Sequence, residues 1–169
     1  MEISLLPKNS IRIKGKNATI IVDPQEKIEA NAGLIFSISA DSANTSAAEV
    51  IIEGPGEYET GGIKISSTRY DGELVFSLNV DSVSVMVGKA AVLEKVHQKL
   101  KEANILVVKC DDVSETTSLT SLVSNVIMFY GEKAIEVGKS YGSENVKHLP
   151  KYSSTFDKLP AEVETIILE

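Results

Sequence analysis

Few residues in this sequence can do acid–base, nucleophilic or metal chemistry. It holds two histidines, His97 and His148, and one cysteine, Cys110. His97 falls in a helical stripe, beside Val96 and one turn from Leu93, where a histidine packs or meets solvent. His148 precedes Leu149-Pro150 in a polar loop, with no cysteine or carboxylate at ligand spacing. A catalytic zinc takes three protein ligands, usually with nitrogen or sulfur donors, and this set does not supply them. Cys110 ends an apolar run and precedes Asp111 and Asp112, whose charges raise a thiol pKa, so a structural thiol is expected. Carboxylates are the remaining resource. Asp23, Asp41, Asp111 and Asp112 all stand at expected strand ends, and hard cations such as Mg²⁺, Mn²⁺ or Ca²⁺ accept oxygen-only coordination. Aspartate at a strand end is equally an ordinary turn or cap residue. Both readings stay open on these residues alone.

The elements that would position these groups are legible from periodicity. Ile11–Lys14 alternates apolar and polar, Ala18–Val22 stops at Asp23-Pro24, and Leu34–Ile38 leads into the small polar loop Ser39–Ser46. Between Val50–Glu53 and Ile63–Ile65 lies Gly54-Pro55-Gly56-Glu57-Tyr58-Glu59-Thr60-Gly61-Gly62. It reads as two turns around a short strand, with Glu57 and Tyr58 as cross-strand residues. Leu74–Leu78 and Val83–Val87 are further strands. From Ala90 to Ala103 apolar residues recur at helical spacing. Ile105–Val108 and Val126–Tyr130 read as buried strands, Thr117–Ser124 as a short helix and Ala134–Val137 as a strand. Strands first, then alternating helices and strands, predict stacked sheets with helices outside.

Composition sets the outer bounds. A chain of 169 residues suits one domain over 1–169, able to bury about 70% of its extended surface. Seventeen basic against 24 acidic residues give a net charge of −7, which disfavours nucleic acid as a partner. A single cysteine excludes an internal disulfide and fits a reducing, cytoplasmic setting. Met1–Pro7 has an acid where a signal peptide needs a base, and no apolar run approaches a membrane span.

Several stretches resemble the metallo-β-lactamase-fold hydrolases, in particular the branch close to ascorbate-phosphate lactonases. These are Pro7–Ile13 with Ile20–Pro24, the Pro-Gly-Glu-Tyr-Glu…Gly-Gly run, and Asp157–Pro160 with the following Glu164–Glu169. The resemblance implies a trimmed αββα sandwich, of mixed α/β (α+β) class. It also implies a pocket built on a His-x-His-x-Asp-His loop. The corresponding loop here reads Ala40-Asp41-Ser42-Ala43-Asn44-Thr45, with no histidine. The family's aspartate-bearing turn corresponds to Gly88-Lys89-Ala90, and Tyr130 stands near the last ligand position. The vestigial pocket rim is therefore expected at Asp23, Asp41, Ser42, Asn44, Lys89, Asp111, Asp112 and Tyr130, with Lys89 or a nearby base offsetting Asp23 or Asp41. No catalytic residue, metal ligand or cofactor is assigned.

Two functions follow from different classes. One is a non-catalytic protein acting by binding or assembly. The other is a hydrolase of esters, lactones or phosphorylated sugars, using Mg²⁺ or Mn²⁺ on Asp23, Asp41, Asp111 and Asp112. Relatives of the lactonase type are oligomeric, which implies a homo-oligomer. Lys64–Ser67 or Thr165–Leu168 would serve as its pairing edge.

Overall fold

The structure, a computed structural model, describes residues 1–24, 34–36, 50–112, 117–141 and 145–169. Its first strands, β1 (Glu2–Leu6), β2 (Ser10–Lys14) and β3 (Thr19–Val22), pair antiparallel in sequence order. β4 (Leu34–Phe36) and β5 (Val50–Ile52) continue the sheet in parallel beyond β3. The chain then crosses to a second sheet through Glu53-Gly54-Pro55 and forms a meander of β6 (Gly56–Thr60), β7 (Ile63–Tyr70), β8 (Glu73–Val80) and β9 (Val83–Lys89). The β6–β7 hairpin turns at Gly61 and Gly62, whose φ values of 54° and 79° suit residues without a Cβ. Ser67 fastens the crossover, its hydroxyl donating to the Gly54 carbonyl at 2.5 Å.

In the second sheet, parallel pairing begins at β9. Helix α1 (Ala90–Val96) leads to β10 (Ile105–Lys109), a 3₁₀ turn over Thr117–Ser121 precedes β11 (Val126–Tyr130), and α2 (Ala134–Ser140) follows. β12 (Val146–Leu149) lies at the far edge, β13 (Lys151–Ser153) returns to pair with β1, and β14 (Glu164–Leu168) inserts between β11 and β12. Among the described residues the sheets run β13-β1-β2-β3-β4-β5 and β12-β14-β11-β10-β9-β8-β7-β6.

The two sheets share one core. Ile3, Ile11, Ile13, Ile20 and Val22 from the first meet Phe76, Val85, Val107, Met128 and Ile166 from the second. Successive side chains alternate across a strand, so the intervening residues Met86, Leu106, Val108, Ile127 and Phe129 face outward. There they pack under α1 and α2. Continuous apolar runs such as Ile105–Val108 are what a parallel strand covered on both faces requires. Among the described residues no helix is long and apolar enough to cross a membrane.

Several expectations are corrected. Ala134–Val137 belongs to a helix, with Ala134, Val137 and Gly138 buried at helical spacing against β11 and β14. Four residues are too few for the period to distinguish the two states. The Ala90–Ala103 helix stops at Val96. A 3₁₀ turn over His97–Lys99 follows, closed by Leu100 N–H donating to the His97 carbonyl at 3.1 Å. Thr117–Ser121 is likewise 3₁₀. Neither proposed pairing edge is an edge: β7 lies between β6 and β8, and β14 between β11 and β12.

Gly131 is the tightest point after β11. Its φ is +106°, and a Cβ there would lie 2.7 Å from the Cys110 carbonyl oxygen. Gly131→Ala should cost about 1–3 kcal/mol from backbone strain alone, with the clash adding to it. Urea denaturation of the variant checks this, and an unchanged midpoint would show that the turn relaxes freely.

Candidate functional site at the ends of the parallel strands

The parallel register places Lys89, Lys109 and Tyr130 side by side as the last residues of β9, β10 and β11. Each is an even number of residues from an interior side chain (Val87, Val107, Met128), so all three share the face turned toward the other sheet. That face is apolar below them. Above, the strands end and polar groups gather.

From the opposite sheet, Asp23 follows β3 in the left-handed region, at φ +53°. Aspartate tolerates this conformation better than most residues. Its carbonyl accepts a 2.8 Å hydrogen bond from the buried Ser10 hydroxyl, which fixes the turn. The Asp23 side chain is fully buried, and Lys109 Nζ donates to its Oδ2 at 2.5 Å. The same ammonium lies 3.6 Å from Oδ2 of the half-exposed Asp111. Burial works to lower the Lys109 pKa, but the hydrogen bond and charge of Asp23, with Asp111 behind, hold it above the usual lysine value. Lys109 is therefore a fixed cation at neutral pH.

Tyr130 completes the cluster. It is fully buried, and among the described residues its hydroxyl has no hydrogen-bond partner. Burial, reinforced by the charges of Asp23 and Asp111, pushes its phenol pKa well above the ordinary value. Cys110, one residue on from Lys109, points the other way, into the layer beneath the helices. Burial and the Asp111 charge push its thiol from 9.0 up to about 12, as a structural cysteine should behave.

The expected rim is thus partly assembled. Asp23, Asp111 and Tyr130 come together. Asp112 is exposed beyond them. Asp41, Ser42 and Asn44, with Ala40 and Thr45, lie outside the described residues. Lys89 is not the counter-ion expected for Asp23: its Nζ pairs with Glu73 at 2.8 Å. Lys109 takes that role. A signal for it exists in the sequence. A lysine of the same parity as Ile105 and Val107, ending a strand buried on both faces, must meet an acid or leave the core.

The two histidines lie elsewhere in the fold. His97 Nδ1 is 2.7 Å from the Glu94 carbonyl, and His148, in edge strand β12 and not in a loop, is 2.9 Å from Glu169. A concavity of about 710 Å³ opens on the outer face of β6–β9, lined by Glu57, Glu59, Lys64, Ser66, Asn79 and Lys101 among others. It gathers none of the expected rim.

Two outcomes are expected from this electrostatic arrangement. Lys109→Met should lower stability by about 3–5 kcal/mol, because it removes the ammonium that offsets the buried Asp23 charge. Adding Asp23→Asn should recover most of that loss in urea melts. With rising pH, the unfolded chain releases the Cys110 proton near 9 while the folded chain holds it to about 12, so stability falls across that interval. The Lys109 contribution is present below its unfolded value of 10.5 and is lost as pH climbs through its raised folded value. Urea midpoints from pH 7 to 11 test both. A flat profile would contradict them.

Comparison with solved structures bears on the scaffold. A Thermotoga maritima protein assigned as a zinc-dependent hydrolase of the metallo-β-lactamase superfamily superposes over 99% of this chain and 98% of its own. The TM-score is 0.74 at 16% identity. A variant of the β-hydroxylase CmlA superposes over 76% of this chain but only 45% of its own, with a TM-score of 0.51 at 7% identity. No family model matches the sequence, and no curated protein matches it. At these identities the likeness is one of fold. It joins the strand order, the shared inter-sheet core and the strand-end cluster in one conclusion: the chain has the metallo-β-lactamase fold.

Proposed function

We propose that this protein is a non-catalytic member of the metallo-β-lactamase fold that acts by binding or assembly. The observation carrying the reading is the Lys109 ammonium, 2.5 Å from the buried Asp23 carboxylate at the mouth of the inter-sheet core. A residue of the expected vestigial rim is thereby neutralised from within the chain. A divalent ion placed against the same carboxylate would meet a fixed positive charge, at a separation where like charges repel strongly in a partly desolvated site.

The donor set agrees. Zinc prefers nitrogen and sulfur ligands, and neither histidine nor the thiol faces this cluster. Among the described residues no group of three His, Cys, Asp or Glu is placed to hold an ion. The residues present therefore do not fit the metal that the fold family implies, and no hydrolytic step is derived through one. Binding has other surfaces available, including the mixed-charge concavity on β6–β9. Among the described residues, assembly through sheet edges would use β5, β6, β12 or β13.

The test is elemental analysis of protein purified without chelator, paired with melting in excess EDTA. Substoichiometric metal and an unchanged melting temperature are expected. Near-stoichiometric zinc, manganese or iron, or a drop of several degrees in EDTA, on the order of a 1–2 kcal/mol loss, would move the reading to the hydrolase.

A further inference from the structure

We propose that β6 is a docking strand, whose free edge takes up an extended peptide of basic–apolar–basic sequence as a further antiparallel strand of the sheet. The inference rests on the binding reading above and deepens it, giving that reading a surface and a partner class.

Among the described residues β6 pairs only with β7 and ends its sheet. The hairpin turn has positive φ at both Gly61 and Gly62, the two-residue form in which Thr60 and Ile63 close as a hydrogen-bonded pair. Bonding alternates along an antiparallel pair, so Gly56, Tyr58 and Thr60 direct their backbone groups at β7. The N–H and C=O groups of Glu57 and Glu59 therefore point away from the sheet, at the spacing that an added strand matches. Both side chains are exposed on the outer face, while Tyr58 between them packs against the inter-sheet core. Among the described residues neither carboxylate forms an ion pair, not even Glu59 with Lys64 opposite it in β7. An added strand sets its own residues opposite Glu57 and Glu59 on that same face, with Cβ atoms about 4.5–5.5 Å apart. Lys or Arg at those two positions meets a carboxylate each, and the residue between them lies beside Tyr58 and is apolar. Long basic side chains have room there, because the concavity of about 710 Å³ opens over this face. A second copy of the chain does not fit. Pairing β6 antiparallel with itself about Tyr58 sets Glu57 against Glu59 at both ends of the contact, and like charges directly opposite are destabilising. The net charge of −7 likewise attracts a basic segment and repels another copy.

The probe is a fluorescein-labelled, C-terminally amidated peptide, Ser-Thr-Arg-Val-Arg-Thr-Ser, titrated with the full chain. Its anisotropy should rise saturably, and hydrogen exchange should slow at the Glu57 and Glu59 amides, which the free edge leaves unpaired. Methylating both arginine amide nitrogens keeps the charge but removes the donors that face β6, and should abolish binding. Glu57→Gln with Glu59→Gln should weaken binding roughly tenfold, the effect of two exposed charge pairs. Glu57→Lys with Glu59→Lys should transfer the preference to Ser-Thr-Glu-Val-Glu-Thr-Ser. Absence of saturable binding overturns the proposal and leaves the two glutamates as guards of an unpaired edge. Equal binding of the methylated peptide also overturns it, since that is charge attraction alone, as does binding without protection at Glu57 and Glu59. Concentration-dependent protection of the same amides in the free chain would make the occupant a second copy and overturn it too. The exchange and methylation comparisons use the wild-type chain, so they decide the matter whether or not the variants fold. Metal found in the purified protein would sink the non-catalytic reading, whereas a wild type silent toward the peptide sinks only the docking strand.

Discussion

One buried ion pair ties the two sheets together at the end where their strands stop. Asp23 leaves β3 and Lys109 ends β10, and they meet above a core that is otherwise apolar. A carboxylate this deep is tolerable only with a partner held in good geometry. That demand reaches outward. Ser10 holds the Asp23 carbonyl, the left-handed turn at Asp23 aims its side chain, and the parallel register of β9, β10 and β11 carries Lys109 to the same level. Each is a local choice of residue, and together they serve one electrostatic requirement.

The same three strands present different chemistry on their two faces. Lys89, Lys109 and Tyr130 occupy the inner face at the strand ends, while Phe129 and Cys110 turn toward the helices. A shift of one residue in register would exchange them, placing ammoniums under the helices and a thiol beside Asp23. The apolar length of Ile105–Val108 cannot choose between those registers, since it is apolar on both faces. The charged residue at its end can, because only one face offers it a carboxylate. The ion pair thus specifies alignment as well as satisfying charge.

Much of the scaffold was legible in the sequence. Alternation in Ile11–Lys14, the Asp23-Pro24 stop, the Gly61-Gly62 turn and the run Val126–Tyr130 each have a local physical cause, and the structure shows the element that cause implies. The failures were non-local or too short. Ala134–Val137 carries β-branched residues but is drawn into a helix by packing on β14, so close that a Cβ added at Gly138 would lie 3.0 Å from Ile167. Which strands form edges depends on the whole topology. For that reason β7 and β14, expected as pairing edges from the short runs Lys64–Ser67 and Thr165–Leu168, prove to be flanked on both sides. In the site, Asp23, Asp111 and Tyr130 could be named because each stands at or just past the end of a strand. Lys109 was missed because its partner is 86 residues away, and only the fold brings them together.

That separation has a meaning for the chain before it folds. Until both sheets dock, Lys109 has not met Asp23 and stands, with only the neighbouring Asp111 and Asp112 near it in sequence, as a solvated charge beside Ile105-Leu106-Val107-Val108, a run of high strand propensity. Charges flanking such runs keep transiently exposed strands from pairing with other chains. The charge that the finished fold pairs with Asp23 is thus, in the unfolded chain, a charge of the kind that discourages such a run from pairing.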